Sequence, residues 1–290
     1  MLDITQKLVE LIRLASTSLP DWVENRLRAA RETELPGSPA WNALDAISRN
    51  VGLSRQNSTP ICQDTGTPSF YIQQPVDWPQ AGLTQQVRAA VTQATHLGYL
   101  RPNAIDPLTG VNSGDNQGGE TFPELHFRQA DGSRLVIDLL LKGGGCENVS
   151  AQYSLPDARL SAKRDLEGVR RVVLDAVFQA QGQGCAPGFL GVAIGGDRAG
   201  SYAIAKQALL DWPDVVNPNT ELAALEDGII GEANDLGIGP MGFGGKTTLL
   251  GTRIRAAARL PASYFVSVSY MCWAFRHRRM VIENGQVSYE

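Results

Sequence analysis

Apolar residues recur at helical spacing through the first hundred positions and change to strand-like runs after about residue 130. Ile4, Leu8, Leu11 and Ile12 fall on one helical face, and Trp22, Val23, Leu27 and Ala30 on a second. A third helix is predicted from Thr84, with Val87, Val91, Ala94 and Leu97 in phase and Gly98 as its stop. Beyond Arg134, RLVIDLLLK reads as a buried strand that runs into Gly143, Gly144 and Gly145. Leu166, Val169, Val173, Ala176, Val177 and Ala180 predict an amphipathic helix, which ends at QGQGCAPG. FLGVAIGG is a strand closed by glycines, and a helix opens just after it in DRAGSYAIAKQALL. One more helix is expected from about Thr220 to Leu236, and TTLLGTRIRA and SYFVSVSYM read as further strands. Helices first, then mixed strands and helices, predict an α/β fold: one domain over residues 1–290, mostly helical over 1–100 and α/β over 130–290.

Two stretches fit neither period. STPICQDTGTPSFYI, residues 58–72, is too polar for a strand core and too rich in turn residues for a helix. A structural, metal-binding or catalytic loop is expected there. LRPNAIDPLTGVNSGDNQGGETFPE, residues 100–124, is a loop of a length that compact domains usually reserve for function or leave disordered.

A composition of 43% hydrophobic and 19% charged residues is that of a soluble globular protein. The formal charge of −4, without a long basic run, argues against a nucleic-acid partner. The one concentrated cationic stretch is Arg276-His277-Arg278-Arg279, which either neutralises an anionic ligand or forms a solvated basic turn. No apolar run is long enough for a membrane span, and the N-terminus lacks the basic-then-apolar order of a signal peptide, so a cytoplasmic protein is expected. GPMGFGGKTT misses the phosphate-loop pattern by one residue, since Pro240 stands where the first glycine is required. Gly195-Gly196, between a strand and a helix, reads as a tight turn before it reads as a phosphate site.

Cys62, Cys146, Cys185 and Cys272 are far apart and form no CxxC, which excludes zinc-ribbon and thioredoxin spacings. Without a secretion signal, disulfides are not expected. Cys62, Cys185 and Cys272 all fall at element ends among glycines, prolines or other turn residues, where an inorganic group can approach the backbone. Scattered buried thiols and an iron–sulfur site both fit this placement. Three thiolates on a cubane cluster would leave one iron open as a Lewis acid, whereas four would favour electron transfer.

Six stretches, in order from about residue 55 to 280, resemble the alpha subunit, or N-terminal domain, of the class I iron–sulfur fumarate hydratase and L-tartrate dehydratase family. They are ICQDTGT, LRPN with NSGDN, KGGGCENVS, CAPGFLGVAIGGDRAGSYAIAK, LGIGPMGFGGKTTLLG and RLPASYFVSVSYMCWAFRHRR. The resemblance implies a [4Fe–4S] cluster with one open iron, held by Cys62, Cys185 and Cys272, with Cys146 outside the ligand set. It places Gln63 and Asp64 beside the substrate, Asp64 as the acid for C–O cleavage and Arg101 as a fork for a substrate carboxylate. Backbone amides of Gly143, Gly144 and Gly145 would hydrogen-bond the same ligand. The implied reaction is reversible hydration of a dicarboxylate: fumarate/L-malate first, as in the tricarboxylic acid cycle, then L-tartrate or mesaconate. A non-catalytic cluster-binding paralogue is the rival class. Arg259-Leu260-Pro261 departs from the family, where many members carry histidine at the position of Leu260. The resemblance further implies a separate beta subunit that completes the active site and supplies the base, in a dimer of heterodimers.

Overall fold

The computed structural model describes residues 2–211 and 216–290, and among them no helix is long and apolar enough to cross a membrane. The fold is mixed α/β, with two mixed sheets and helices packed on them. The chain forms two compact units, the first made of residues 1–21, 49–144 and 274–290 and the second of 22–48 and 145–273.

The first unit is built on a five-stranded sheet in the order β2-β1-β3-β8-β9. Its strands are β1 (Thr67–Gln74), β2 (Glu124–Gln129), β3 (Leu135–Lys142), β8 (His277–Glu283) and β9 (Gln286–Tyr289). β1 and β2 run parallel; the other pairings are antiparallel. Helices α1 (Thr5–Thr17) and α4 (Gln80–His96) pack against each other, and α1 also lies on β3 and β8. Leu135, Ile137, Leu139 and Leu141 alternate along β3 and enter this core with Leu8, Leu11 and Ile12 of α1 and Val87 and Val91 of α4. Strand alternation therefore sends Val136, Asp138, Leu140 and Lys142 to the opposite face. There Asp138, only 2% exposed, accepts hydrogen bonds from Arg279 Nε (2.8 Å) and Nη2 (3.1 Å) and pairs with His277 Nε2 at 2.8 Å. Burial pushes the Asp138 carboxyl up, but the charges and hydrogen bonds of His277 and Arg279 outweigh it and hold the group below the ordinary carboxylate range.

The second unit has a four-stranded sheet in the order β4-β7-β5-β6. Its strands are β4 (Ala151–Ser154), β5 (Gly188–Gly195), β6 (Leu249–Ala257) and β7 (Phe265–Met271). β5 and β6 are parallel, and β7 is antiparallel to both β4 and β5. Leu190, Val192 and Ile194 of β5 meet Val169, Val172 and Val173 of α6 (Leu166–Ala180) and Ile229 and Ala233 of α8 (Thr220–Asp235). Helix α7 (Arg198–Ala208) packs on β5 and β7, joined to β7 by a buried Ser267–Ser201 hydroxyl pair at 2.8 Å. Side-chain caps start these helices: Asp165, Asp197 and Asn219 each accept hydrogen bonds from backbone N–H groups of the first turn.

Helices α2 (Asp21–Thr33) and α3 (Pro39–Asn57) complete the helical N-terminal part, α3 passing from the second unit into the first at residues 48 and 49. The expected strands β3, β5, β6 and β7 and helices α1, α2, α4, α6, α7 and α8 are all present. Strand β1 is the notable departure. Its residues belong to the stretch that looked too polar for a strand, yet Ser69 and Phe70 are fully buried, because β1 lies between β2 and β3. Ser69 tolerates that position by donating to Glu124 Oε2 at 2.8 Å.

Candidate functional site

The loop that leaves α3 is fixed before it reaches its first reactive residue. Ile61 N–H donates to the Ser16 carbonyl, and Asn50 Nδ2 donates to the Ile61 carbonyl, both at 2.9 Å. Cys62, Gln63 and Asp64 follow, half-buried, exposed and half-buried in turn. Together with Arg101, Pro102 and Asn103 they line an open cavity of about 600 Å³ in the first unit. Four of the residues proposed from sequence, Cys62, Gln63, Asp64 and Arg101, therefore share one cavity although the two segments are far apart in the chain.

Buried polar groups join these segments. Thr65 Oγ1, wholly inaccessible, accepts from Arg101 N–H (3.1 Å) and Asn103 Nδ2 (3.0 Å). Asn116 accepts from Asn103 N–H at 2.7 Å and donates Nδ2 to the Arg101 carbonyl (2.8 Å) and Thr95 Oγ1 (2.9 Å). Asn116 is 1% exposed and has φ of 61°, a conformation asparagine adopts more readily than most residues. The motifs TGT, LRPN and NSGDN thus form one hydrogen-bonded assembly that aims Arg101 at the cavity wall.

Asp64 is held on three sides. Oδ1 accepts from Gly66 N–H at 2.9 Å, an Asx-turn, and Oδ2 accepts from Gly144 N–H at 2.7 Å. Its carbonyl accepts from Arg276 Nη1 at 2.5 Å. A Cβ on residue 143 would sit 2.8 Å from Asp64 Oδ2, so the glycine there makes room for this carboxylate. The Gly144 amide, expected to face a ligand, is already engaged by Asp64; Gly145 is exposed. The role of Arg276 under Asp64 was not legible in the sequence. Instead of a solvated turn, the residue is 1% exposed and supports the Asp64 backbone, while His277 and Arg279 serve Asp138 and Arg278 donates to Ser18 and Leu19. The place of Arg276 directly after the apolar run MCWAF was the available signal.

In the second unit Cys185 ends a 3₁₀ turn, Gln181–Gly184, with φ 53° and ψ 60°, just before the cis Ala186–Pro187 peptide. Its carbonyl accepts from Trp273 N–H at 3.4 Å, which joins the Cys185 turn to the segment after β7 that carries Cys272. Tyr270 lies beneath both. Its ring rests where a Cβ on Gly184 or Gly188 would come within 2.5 Å of Cε1 or 2.3 Å of the hydroxyl. Burial pushes the Tyr270 hydroxyl's pKa up, and the neighbouring Cys272, Cys146 and Cys185 add to the effect. The glycines on either side of Cys185 therefore pack against one buried phenol. Cys62 belongs to the first unit. Among the described residues no three Cys, His, Asp or Glu side chains form a group able to hold a metal ion.

The two glycine-rich stretches that resembled phosphate sites bind the protein's own carboxylates. Glu34 Oε1, on a side chain 5% exposed, accepts from Lys246 N–H (2.7 Å) and Thr247 N–H (3.1 Å). Asp197 caps α7 by accepting from Gly200 N–H at 2.7 Å. The amides an anion would need are thus spent. Leu260, where many relatives carry histidine, is 74% exposed in the turn before β7.

A cysteine, a carboxylate braced by backbone amides and an arginine share one cavity, and the comparisons give the family. Residues 5–281 match the family model Fumarate hydratase (Fumerase), and the chain belongs to that family. It is 49% identical over 93% of its length to a Geobacillus stearothermophilus protein named as a class I fumarate hydratase, and spans 53%, about half, of that relative. Against a Methanocaldococcus jannaschii protein named as an L(+)-tartrate dehydratase alpha subunit it is 32% identical, covering 94% of this chain and 95% of the relative. The L(+)-tartrate dehydratase alpha subunit of Escherichia coli K12 is 29% identical, over 96% of this chain and 90% of that one.

Proposed function

We propose that the chain is the alpha subunit of a hydro-lyase that reversibly adds water to a dicarboxylate, with fumarate/L-malate as the first substrate pair. The observation that carries the reading is the cavity shared by Cys62, Gln63, Asp64 and Arg101. Arg101 would bind a substrate carboxylate through its two-pronged guanidinium, and Gln63 would hydrogen-bond beside it. Asp64, fixed by Gly66, Gly144 and Arg276, would hold the proton that the departing hydroxyl requires.

Cys62, Cys185 and Cys272 would hold a [4Fe–4S] cluster; none of the three is in a disulfide. The donor chemistry fits, and the left-handed Cys185 turn and the buried Tyr270 hydroxyl without a partner are features such a group would use. When bound, the cluster supplies an open iron as Lewis acid for a hydroxyl and a carboxylate. The base that takes the carbon-bound proton would come from a beta subunit, the partner implied by the alpha-subunit names of the relatives. A dimer of such heterodimers in the cytoplasm completes the proposal. L-Tartrate is the second substrate, since relatives carry that name, and mesaconate the third. Retention of Gln63, Asp64, Arg101 and the three cysteines favours an enzyme over a cluster-binding paralogue.

Anaerobic co-expression with candidate beta subunits tests the reading through iron and sulfide content and the loss of fumarate absorbance. Asp64→Asn should lower kcat by roughly 10²–10⁴-fold with little change in KM. Arg101→Ala should act chiefly on KM. Full cluster content with no turnover of fumarate, tartrate or mesaconate would leave the paralogue; wild-type activity in both variants would overturn the assigned roles.

A further inference from the structure

The Tyr270 hydroxyl is buried and has no hydrogen-bond partner, although its backbone N–H is satisfied by Ser150 Oγ at 3.0 Å. The residue is only 2% exposed. Leaving a buried hydroxyl unpaired is unfavourable, and phenylalanine would fill the same space without that cost. Packing therefore does not account for the oxygen. The ring packs against Gly184 and the hydroxyl against Gly188, the glycines that flank Cys185, and Tyr270 stands two residues before Cys272. Nor can the ring turn away freely, because the backbones of Gly184 and Gly188 close over it so tightly that neither position has room for a Cβ.

We infer that Tyr270 donates its hydroxyl proton in a hydrogen bond to a sulfur of the cluster held by Cys185 and Cys272, making it a positioning and tuning residue rather than one that touches substrate. The inference rests on the cluster reading above. An O–H donor directed at an anionic sulfur stabilises the reduced, more negative cluster, which raises the reduction potential and slows oxidation. The low dielectric around a buried phenol strengthens that bond relative to one in water.

The experiment compares the anaerobically reconstituted wild-type holoenzyme, with its partner subunit, against Tyr270→Phe. Iron and sulfide content is read first. If the wild type takes up neither, the cluster reading itself fails and this inference falls with it. With equal cluster content, Tyr270→Phe should show a lower midpoint potential and several-fold faster loss of the cluster in air. Unchanged potential and unchanged decay at equal content would overturn the inference while leaving the cluster reading intact. Should the variant not assemble, the reduced, paramagnetic wild-type cluster examined by electron–nuclear double resonance in H₂O and D₂O decides. A strongly coupled exchangeable proton is expected, and its absence would sink the proposal.

Discussion

The two loops that carry the candidate site residues are held by different forces. In the first unit, the Asp64 and Arg101 segments are joined through side-chain hydrogen bonds of Thr65, Asn103 and Asn116, around an open cavity. In the second, the Cys185 turn is shaped by contact: a tyrosine ring packed against backbone that has room only for glycine. The difference suits what each loop would do. A carboxylate and an arginine that meet a soluble substrate need exact direction with access to solvent, which hydrogen bonds provide. A thiolate that meets an inorganic group needs a dry, rigid seat, which close packing provides.

The comparison is broken most severely at Gly188. In Gly188→Ala the new Cβ would stand 2.3 Å from the Tyr270 hydroxyl, so the buried ring or the buried strand β5 must shift. Overpacking of this kind should cost about 3 kcal/mol, seen as a lower denaturation midpoint with unchanged slope, together with poor iron uptake. A smaller effect is expected from Asn116→Ala, which deletes hydrogen bonds to Asn103, Arg101 and Thr95 from a buried site. A loss of about 2 kcal/mol is predicted, with a raised KM as Arg101 loses its aim and no change in cluster content. If Asn116→Ala emptied the cluster while sparing KM, the two loops would not be independent in the way described.

The mildest probe is acid. The folded-state pKa of Asp138 is lowered, so its contribution to stability is present above the ordinary carboxylate pKa of about 3.9 and is lost as pH falls through the folded value. Denaturation midpoints should therefore fall below about pH 4, by at most about 1.4 kcal/mol per pH unit for this single proton. Asp138→Asn should flatten that part of the profile at the cost of lower stability near neutrality, because His277 and Arg279 lose their charged acceptor. An identical acid slope in the variant would show that other groups govern the transition.

Elements with a strong period were legible because burial of one face imposes it. Leu166 to Ala180 and Leu135 to Lys142 are one helix and one strand, as their apolar spacing required. Polar residues inside those elements were not legible in the same way. The function of Asp138 depends on His277 and Arg279, well over a hundred positions later, and no local pattern announces such a pairing. The same holds for Arg276 beneath Asp64, and for Glu34 taking the amides of a glycine loop that otherwise resembled a phosphate site.

Sequence by itself determined the mixed α/β class, most of the elements and the residues worth suspecting, because amphipathic period, turn chemistry and reactive side chains are local properties. Only the tertiary structure decided which of them meet. It brought Arg101 into the cavity of Cys62, Gln63 and Asp64, engaged the Gly144 amide with Asp64 and closed the Cys185 turn over Tyr270. Those outcomes depend on distances between segments far apart in the chain, and such distances are set by how sheets and helices pack rather than by any spacing along the sequence.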